Sequence, residues 1–196
     1  MSEASPGYSL ECAPGGRILR LRSEDSTNRL TRELIVQLTE EIRRLAKEKQ
    51  PLVITGNDNF FSAGADLNEI AALDGPEALE FSKMGQALMR LVDDFPAPVT
   101  AAISGYCMGG GFDLALACRY RIASPHAVFG HRGAVLGLMT GWGGTQRMPR
   151  LIGKGGALHL LIAAERISAA DALRIGLVDA LADDPVAEAL RLNAPQ

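Results

Sequence analysis

The sequence predicts an α/β layered fold in which short apolar strands alternate with amphipathic helices. Three stretches carry that expectation. Residues 17–22, RILRLR, alternate apolar and basic side chains with the two-residue period of a strand that has one wet face. From Thr31 to about Glu48, Leu34, Leu38, Ile42 and Leu45 recur at helical spacing and make one side that packs on a sheet. Residues 98–118, PVTAAISGYCMGGGFDLALAC, run an apolar strand through three consecutive glycines into an apolar helix.

At 196 residues the chain is long enough for one domain with a real core. Its formal charge of −3 mixes both signs with no basic stripe, which argues against nucleic acid as a partner. No apolar run is long enough to cross a membrane. The opening MSEASPGYSLECAPGG is polar and glycine-rich, so residues 1–15 are expected as a flexible N-terminal segment. No basic run there leads into an apolar one, as a secretory leader would require, and the cytoplasm is the expected compartment. The core is expected over residues 16–181, with a short C-terminal helix and tail over 182–196.

In chain order, Ser23 to Asn28 reads as a polar loop before the first long helix. Thr31 is placed to cap that helix, with Glu33 in its first turn and Lys47 and Lys49 near its end. Leu52 to Thr55, LVIT, is the next strand. Ser62, Ala63, Gly64 and Ala65 then lead into a short helix starting near Asp66. Val99 to Ile103 suits an inner strand of a covered sheet. Further on, the glycines of Gly141 to Leu151 open another helix, with Arg147 and Arg150 on its polar side. Ser168 and Asp171 form a capping box, and Gly176 stops the helix they start. His159, among Leu158, Leu160, Leu161 and Ile162, is expected to pack.

Two places invite chemistry. At Gly109–Gly111 a helix begins with bare main-chain N–H groups, and Ser62–Asp66 offers a second such start. Two convergent N–H donors are what a developing oxyanion needs, each contributing about 3 kcal/mol. Taken alone, the first stretch reads as a tight strand-to-helix turn and the second as a capped helix start. Of the three cysteines, Cys12, Cys107 and Cys118, none has zinc spacing, and reduced thiols in core or turn positions are expected. Cys107, near the glycine turn, has no neighbouring histidine in sequence to make it a nucleophile.

FSAGADLNEI, SGYCMGGGFDLALAC, FGHRGAVLGLMTGWGGTQRMPRLIGK and ERISAADALRIGLVDAL occur in the order and spacing of the crotonase superfamily, also called the enoyl-CoA hydratase/isomerase family, which the chain resembles from about Gly16 to Leu181. Asn28 and Leu30 stand where that family tends to carry an Asn-Ala-Leu turn, with Arg29 replacing the alanine. The resemblance implies a spiral of strand-strand-helix turns that binds an acyl-CoA thioester, with coenzyme A as part of the substrate and no metal or further cofactor. It places the thioester oxygen on the N–H groups of Ala65 and Gly110, and lines the passage for the CoA moiety with Ala63, Gly64, Asp66 and Leu67.

By the same likeness, two glutamates move protons in the hydratases. One position is Asp113, three residues after Gly110 and on the same helix face, where it reads as a shorter acid/base or as a favourable helix-start acid. The other is Gly133, which transfers no proton. His131 is a replacement base or an ordinary strand-end histidine, Arg132 a partner for an anionic group or a solvated side chain, and Trp142 the floor of an acyl or aromatic pocket or a core residue. Thr145, Gln146 and Arg147 read as structural. The reaction expected is of the enoyl-CoA hydratase/isomerase (lyase) type. Decarboxylation or hydrolysis of an acyl-CoA, or non-catalytic acyl-CoA binding, stay open because of Gly133. The likeness also implies a homo-oligomer, a trimer or hexamer, with a shortened C-terminal helical region in this chain.

Overall fold

A computed structural model describes residues 7–193. The chain order is β1 (Tyr8–Ala13), β2 (Gly16–Leu21), β3 (Arg29–Leu30), α1 (Arg32–Ala46), β4 (Leu52–Thr55), β5 (Phe60–Ser62), β6 (Gly64–Ala65), α2 (Leu67–Ala72) and α3 (Gly75–Asp93). It continues with β7 (Val99–Ile103), β8 (Tyr106–Met108), α4 (Gly109–Ala117), β9 (Tyr120–Ala123), β10 (Val128–Gly130) and a 3-10 turn over Arg132–Leu136. The last elements are α5 (Gly144–Ala163), β11 (Arg166–Ser168), α6 (Ala169–Arg174), β12 (Ala180–Leu181) and α7 (Pro185–Asn193).

Strands fall into two main sheets by turns. One sheet runs β1-β2-β4-β7-β9-β12, the other β11-β10-β8-β5, and β3 pairs with β6. From β2 to β12 every pair in the first sheet is parallel, as are β5–β8 and β8–β10. The chain therefore lays β7 in one sheet, β8 in the other and α4 behind them, then repeats the move with β9, β10 and α5. This is the expected spiral of strand-strand-helix turns.

Alternation across the pleat decides which face each residue serves. Leu19, Ile54, Ala101, Ile103 and Ala123 face the main core with α1, α3 and α4, whereas Ile18, Val53, Ala102 and Ile122 face Ala189, Val186 and Leu190 of α7. The α7 helix, the short C-terminal helix expected within 182–196, is thus the cover of the sheet's second face. Arg121 on β9 is buried and well supplied: its guanidinium donates to the carbonyls of Leu177 and Cys118 and to Asp179.

Several expectations change. Residues 8–13, placed in a flexible N-terminal segment, form an edge strand antiparallel to β2. Tyr8 and Leu10 reach the core, and Gly15 and Gly16, with φ of +96° and +142°, make the hairpin turn. The rest of that segment, residues 1–6, and the final residues 194–196 of the tail lie outside the described residues. The half-turn signal DGPE starts α3, a helix the periodicity reading passed over: Asp74 and Glu77 exchange a full capping box and Pro76 sits in the first turn. His159 does not pack; its side chain is 68 % exposed, beside exposed Leu158 and Ile162. Arg147, read as structural, pairs with Asp93 at 3.1 Å and donates to the Trp142 and Met89 carbonyls.

Cys107 and Cys118 are buried and Cys12 is exposed. Burial pushes the Cys107 thiol well up and the Cys118 thiol to about 12, so neither is available as a thiolate. One fast thiol per chain is expected with an aromatic disulfide reagent on the native protein, lost in Cys12→Ser. A second fast equivalent would contradict the burial of Cys107 and Cys118.

Candidate active site

Two turns meet at the end of β8. The first follows β5: Ala63 N–H donates to the Thr27 carbonyl at 2.9 Å, and Gly64 turns with φ +95°. The second is the start of α4, where Met108 is the N-cap and makes no side-chain capping bond. Gly110 is the second helical residue, among the N–H groups that an α-helix leaves without intrahelical partners. The backbones touch. A Cβ on Gly64 would stand 2.7 Å from the Met108 carbonyl and 2.9 Å from the Gly110 nitrogen. A Cβ on Gly110 would stand 3.3 Å from the Ala65 nitrogen. A Cβ lies ~2.5 Å from its own nitrogen, so the Ala65 and Gly110 nitrogens are within the ~6 Å that two hydrogen bonds converging on one oxygen permit.

One hydroxyl ties the turns together. Ser62 Oγ donates to the Asn28 carbonyl at 2.6 Å and accepts the Gly64 N–H at 3.1 Å, while a Cβ on Gly111 would meet the Ser62 Cβ at 2.5 Å. Asn28, fully buried with φ +53°, donates its amide to the carbonyls of Phe60 at 2.8 Å and Phe61 at 3.3 Å. The family's Asn-x-Leu position thus braces the strand that leads to Ala65. The substituted residue at its centre, Arg29, pairs with Asp25 and, at 2.9 Å, with Asp66.

A cavity of about 410 Å³ opens beside these turns. Ala63, Ala65, Leu67, Gly110, Asp113, His131 and Trp142 all line it, as do Arg132, Gly133 and Thr140. Gly64 and Asp66 do not. Gly64 lies beneath, supporting the approach of the two turns, and the Asp66 side chain caps α2 by accepting from Asn68 N–H at 2.8 Å. Burial raises the Asp66 carboxyl, but that cap, the Glu69 N–H and Arg29 outweigh it and hold it below the usual carboxylate range. Ile70 and Leu73 of the α2 segment and Phe81 of α3 complete the apolar wall; Phe81 was not legible as a site residue because α3 itself was not read. The DGPE start was the signal that could have found it.

Asp113 is buried at 2 % exposure. Thr140 Oγ1 donates to its Oδ2 at 2.5 Å, and Gly144 leaves room for Oδ1, which a Cβ there would meet at 2.3 Å. His131 Nε2 approaches the same Oδ2 at 3.5 Å without a hydrogen bond; Asp113 Oδ1 and His131 Nε2 are both buried without a partner. Two ionisable groups that line one cavity and each leave a polar atom without a hydrogen-bond partner are candidates to exchange protons with its occupant. Gly133 sits where no side chain fits in this backbone: its Cβ would stand 2.8 Å from the Leu138 carbonyl, and its own carbonyl accepts the Leu138 N–H at 2.9 Å.

This fold and this pair of turns define a class, and comparison with known proteins gives it a name. The family model for enoyl-CoA hydratase/isomerase matches residues 17–194. A crotonyl-CoA hydratase of Syntrophomonas wolfei is 39 % identical over 165 residues, which cover 83 % of this chain and 64 % of that protein. Among solved structures, Pseudomonas aeruginosa DspI superimposes with a TM-score of 0.92 at 34 % identity, over 98 % of this chain and 81 % of that one. An enoyl-CoA hydratase from Bacillus anthracis gives 0.90 at 34 % identity, over 95 % and 75 %. The chain belongs to the enoyl-CoA hydratase/isomerase family. It spans a little under two thirds of the length of the Syntrophomonas relative.

Asn28→Gly keeps the positive φ and deletes the two side-chain hydrogen bonds. It is expected to cost about 1–3 kcal/mol in urea unfolding, because buried carbonyls lose their donor. No loss of stability would mean that the Phe60 and Phe61 carbonyls find other partners.

Proposed function

We propose that this chain binds an acyl-CoA thioester and holds its carbonyl oxygen between the N–H groups of Ala65 and Gly110, as an enzyme of the hydratase/isomerase type. The observation that carries the reading is the close approach of two main-chain nitrogens, those of Ala65 and Gly110, both of which line one cavity. Donors fixed before the reaction begins favour the state in which charge reaches the oxygen, and so favour an enolate. The CoA moiety passes along Ala63 and Leu67. The family match and the name of the Syntrophomonas relative support an enoyl thioester as the substrate.

In hydration, water oxygen bonds to C3, the alkene electrons pass through C2 to the thioester oxygen, and C2 then takes a proton. Asp113 is the carboxylate that accepts the proton of water. His131, 3.5 Å from it, is the group able to return one to C2 and to be recharged from Asp113 between turnovers. Gly133 favours a second reading, because one carboxylate suffices for decarboxylation or hydrolysis of an acyl-CoA, and none is needed for a protein that only binds it. The reading includes a homo-oligomer, trimer or hexamer, which the exposed Leu158 and Ile162 on α5 support.

Proton exchange at C2 tests the enolate without presupposing the reaction. With butyryl-CoA in D2O, nuclear magnetic resonance is expected to show loss of the C2 protons, slowed at least ~100-fold in Asp113→Asn. Crotonyl-CoA should be consumed by the unmodified chain and spared by that variant. Tight binding with neither exchange nor turnover would replace the enzyme by a binding protein, and failure to bind any acyl-CoA would end the reading.

A further inference from the structure

We propose that Trp142 sets the depth of the acyl pocket and restricts the chain to thioesters of short acyl groups, an inference that rests on the acyl-CoA reading above. The indole is 5 % exposed and lines the cavity from between two helices. A Cβ on Gly110 would stand 2.3 Å from its Cζ3, and a Cβ on Gly85, in the middle of α3, would stand 2.2 Å from its Nε1. Both distances are far inside van der Waals contact. Neither glycine has positive φ, so backbone conformation does not demand them. Glycine inside a helix costs about 1 kcal/mol relative to alanine, and at Gly85 the ring supplies the reason for that cost. Phe81, one turn earlier on α3, meets the indole edge-on at 5.4 Å and 66°.

This wall is stiff. The indole is held by helix backbone on two sides and by an aromatic ring on a third, so it has no room to turn aside. Leu136, Leu138 and Met139, which also line the cavity, are exposed. A thioester whose oxygen rests on the Gly110 N–H starts its acyl chain against the side chain packed on Gly110, which is Trp142. The first few carbons gain its apolar surface; a longer chain meets a ring that cannot yield.

Trp142 is also the only tryptophan in the sequence, so its emission reports this wall alone. The test titrates the full chain with butyryl-CoA, decanoyl-CoA and free CoA, following tryptophan emission and, for variants lacking the ring, calorimetry. Butyryl-CoA is expected to change the emission more than free CoA does and to bind at least tenfold tighter than decanoyl-CoA. Trp142→Ala should shift the decanoyl-to-butyryl affinity ratio at least tenfold toward decanoyl-CoA, with Trp142→Phe between. Gly85→Ala, outside the cavity lining, should displace the clamped ring and change the decanoyl-to-butyryl affinity ratio more than twofold; it also serves if Trp142→Ala does not fold. An affinity ratio that stays within twofold in these variants, with acyl-CoA still bound, overturns the role of Trp142 and leaves the acyl-CoA reading standing. Absence of binding by any acyl-CoA to the unmodified chain overturns both.

Discussion

The architecture depends on backbone touching backbone where the turn after β5 meets the start of α4. Gly64 lies against the Met108 carbonyl and the Gly110 nitrogen, closer than any Cβ would allow. Ser62 fills the remaining space against Gly111 and binds the Asn28 carbonyl and the Gly64 N–H. The partners come from three separate stretches, around Asn28, Ser62–Gly64 and Met108–Gly111, so the contact exists only once β5, β8 and the β3–β6 pair have formed. Main-chain donors positioned this way are held by the whole fold rather than by rotamers.

That dependence explains which parts were legible in the sequence. The α1 helix announced itself through one apolar stripe and a Thr31 cap, and β4 and β7 through short apolar runs between breakers. The glycines and small residues of the two turns stood out because little else puts so many of them at helix starts. What stayed hidden was long-range or mixed in pattern. The α3 helix carries Phe81, Gly85, Leu88, Met89 and Val92 on its buried side, with a glycine where a stripe would place a large residue, so its period is blurred. The β1 strand is an edge strand whose residues are mostly half-buried, and edge pairing leaves a weak two-residue signal. Nothing local to Trp142 or Thr140 reveals which helix each will face.

The surroundings of Asp113 show how a shortened acid can be held in place. An aspartate carries its carboxylate close to its own helix, so it needs a neighbour that comes to it. Thr140 does so from the segment after the 3-10 turn, and Gly144 at the start of α5 gives way for the other oxygen. The N-terminus of α5 adds partial positive charge on that side. The carboxylate is therefore anchored from the loop that also carries His131, and the pair answers to the geometry of one segment, residues 131–144.

The same segment accounts for the missing carboxylate at position 133. Had Gly133 been a simple loss, its site would be an empty space waiting for a side chain. Instead the backbone has closed over it: a Cβ there would stand 2.8 Å from the Leu138 carbonyl, the Leu138 N–H binds the Gly133 carbonyl, and Gly137, with φ +70°, makes the reversal possible. A glutamate introduced there would have to open this turn and move Thr140 with it, disturbing the one acid that remains. The absence at 133 and the anchoring of Asp113 are therefore a single structural choice. In the proposed reaction, proton transfer runs through the Asp113, His131 and Thr140 side of the cavity.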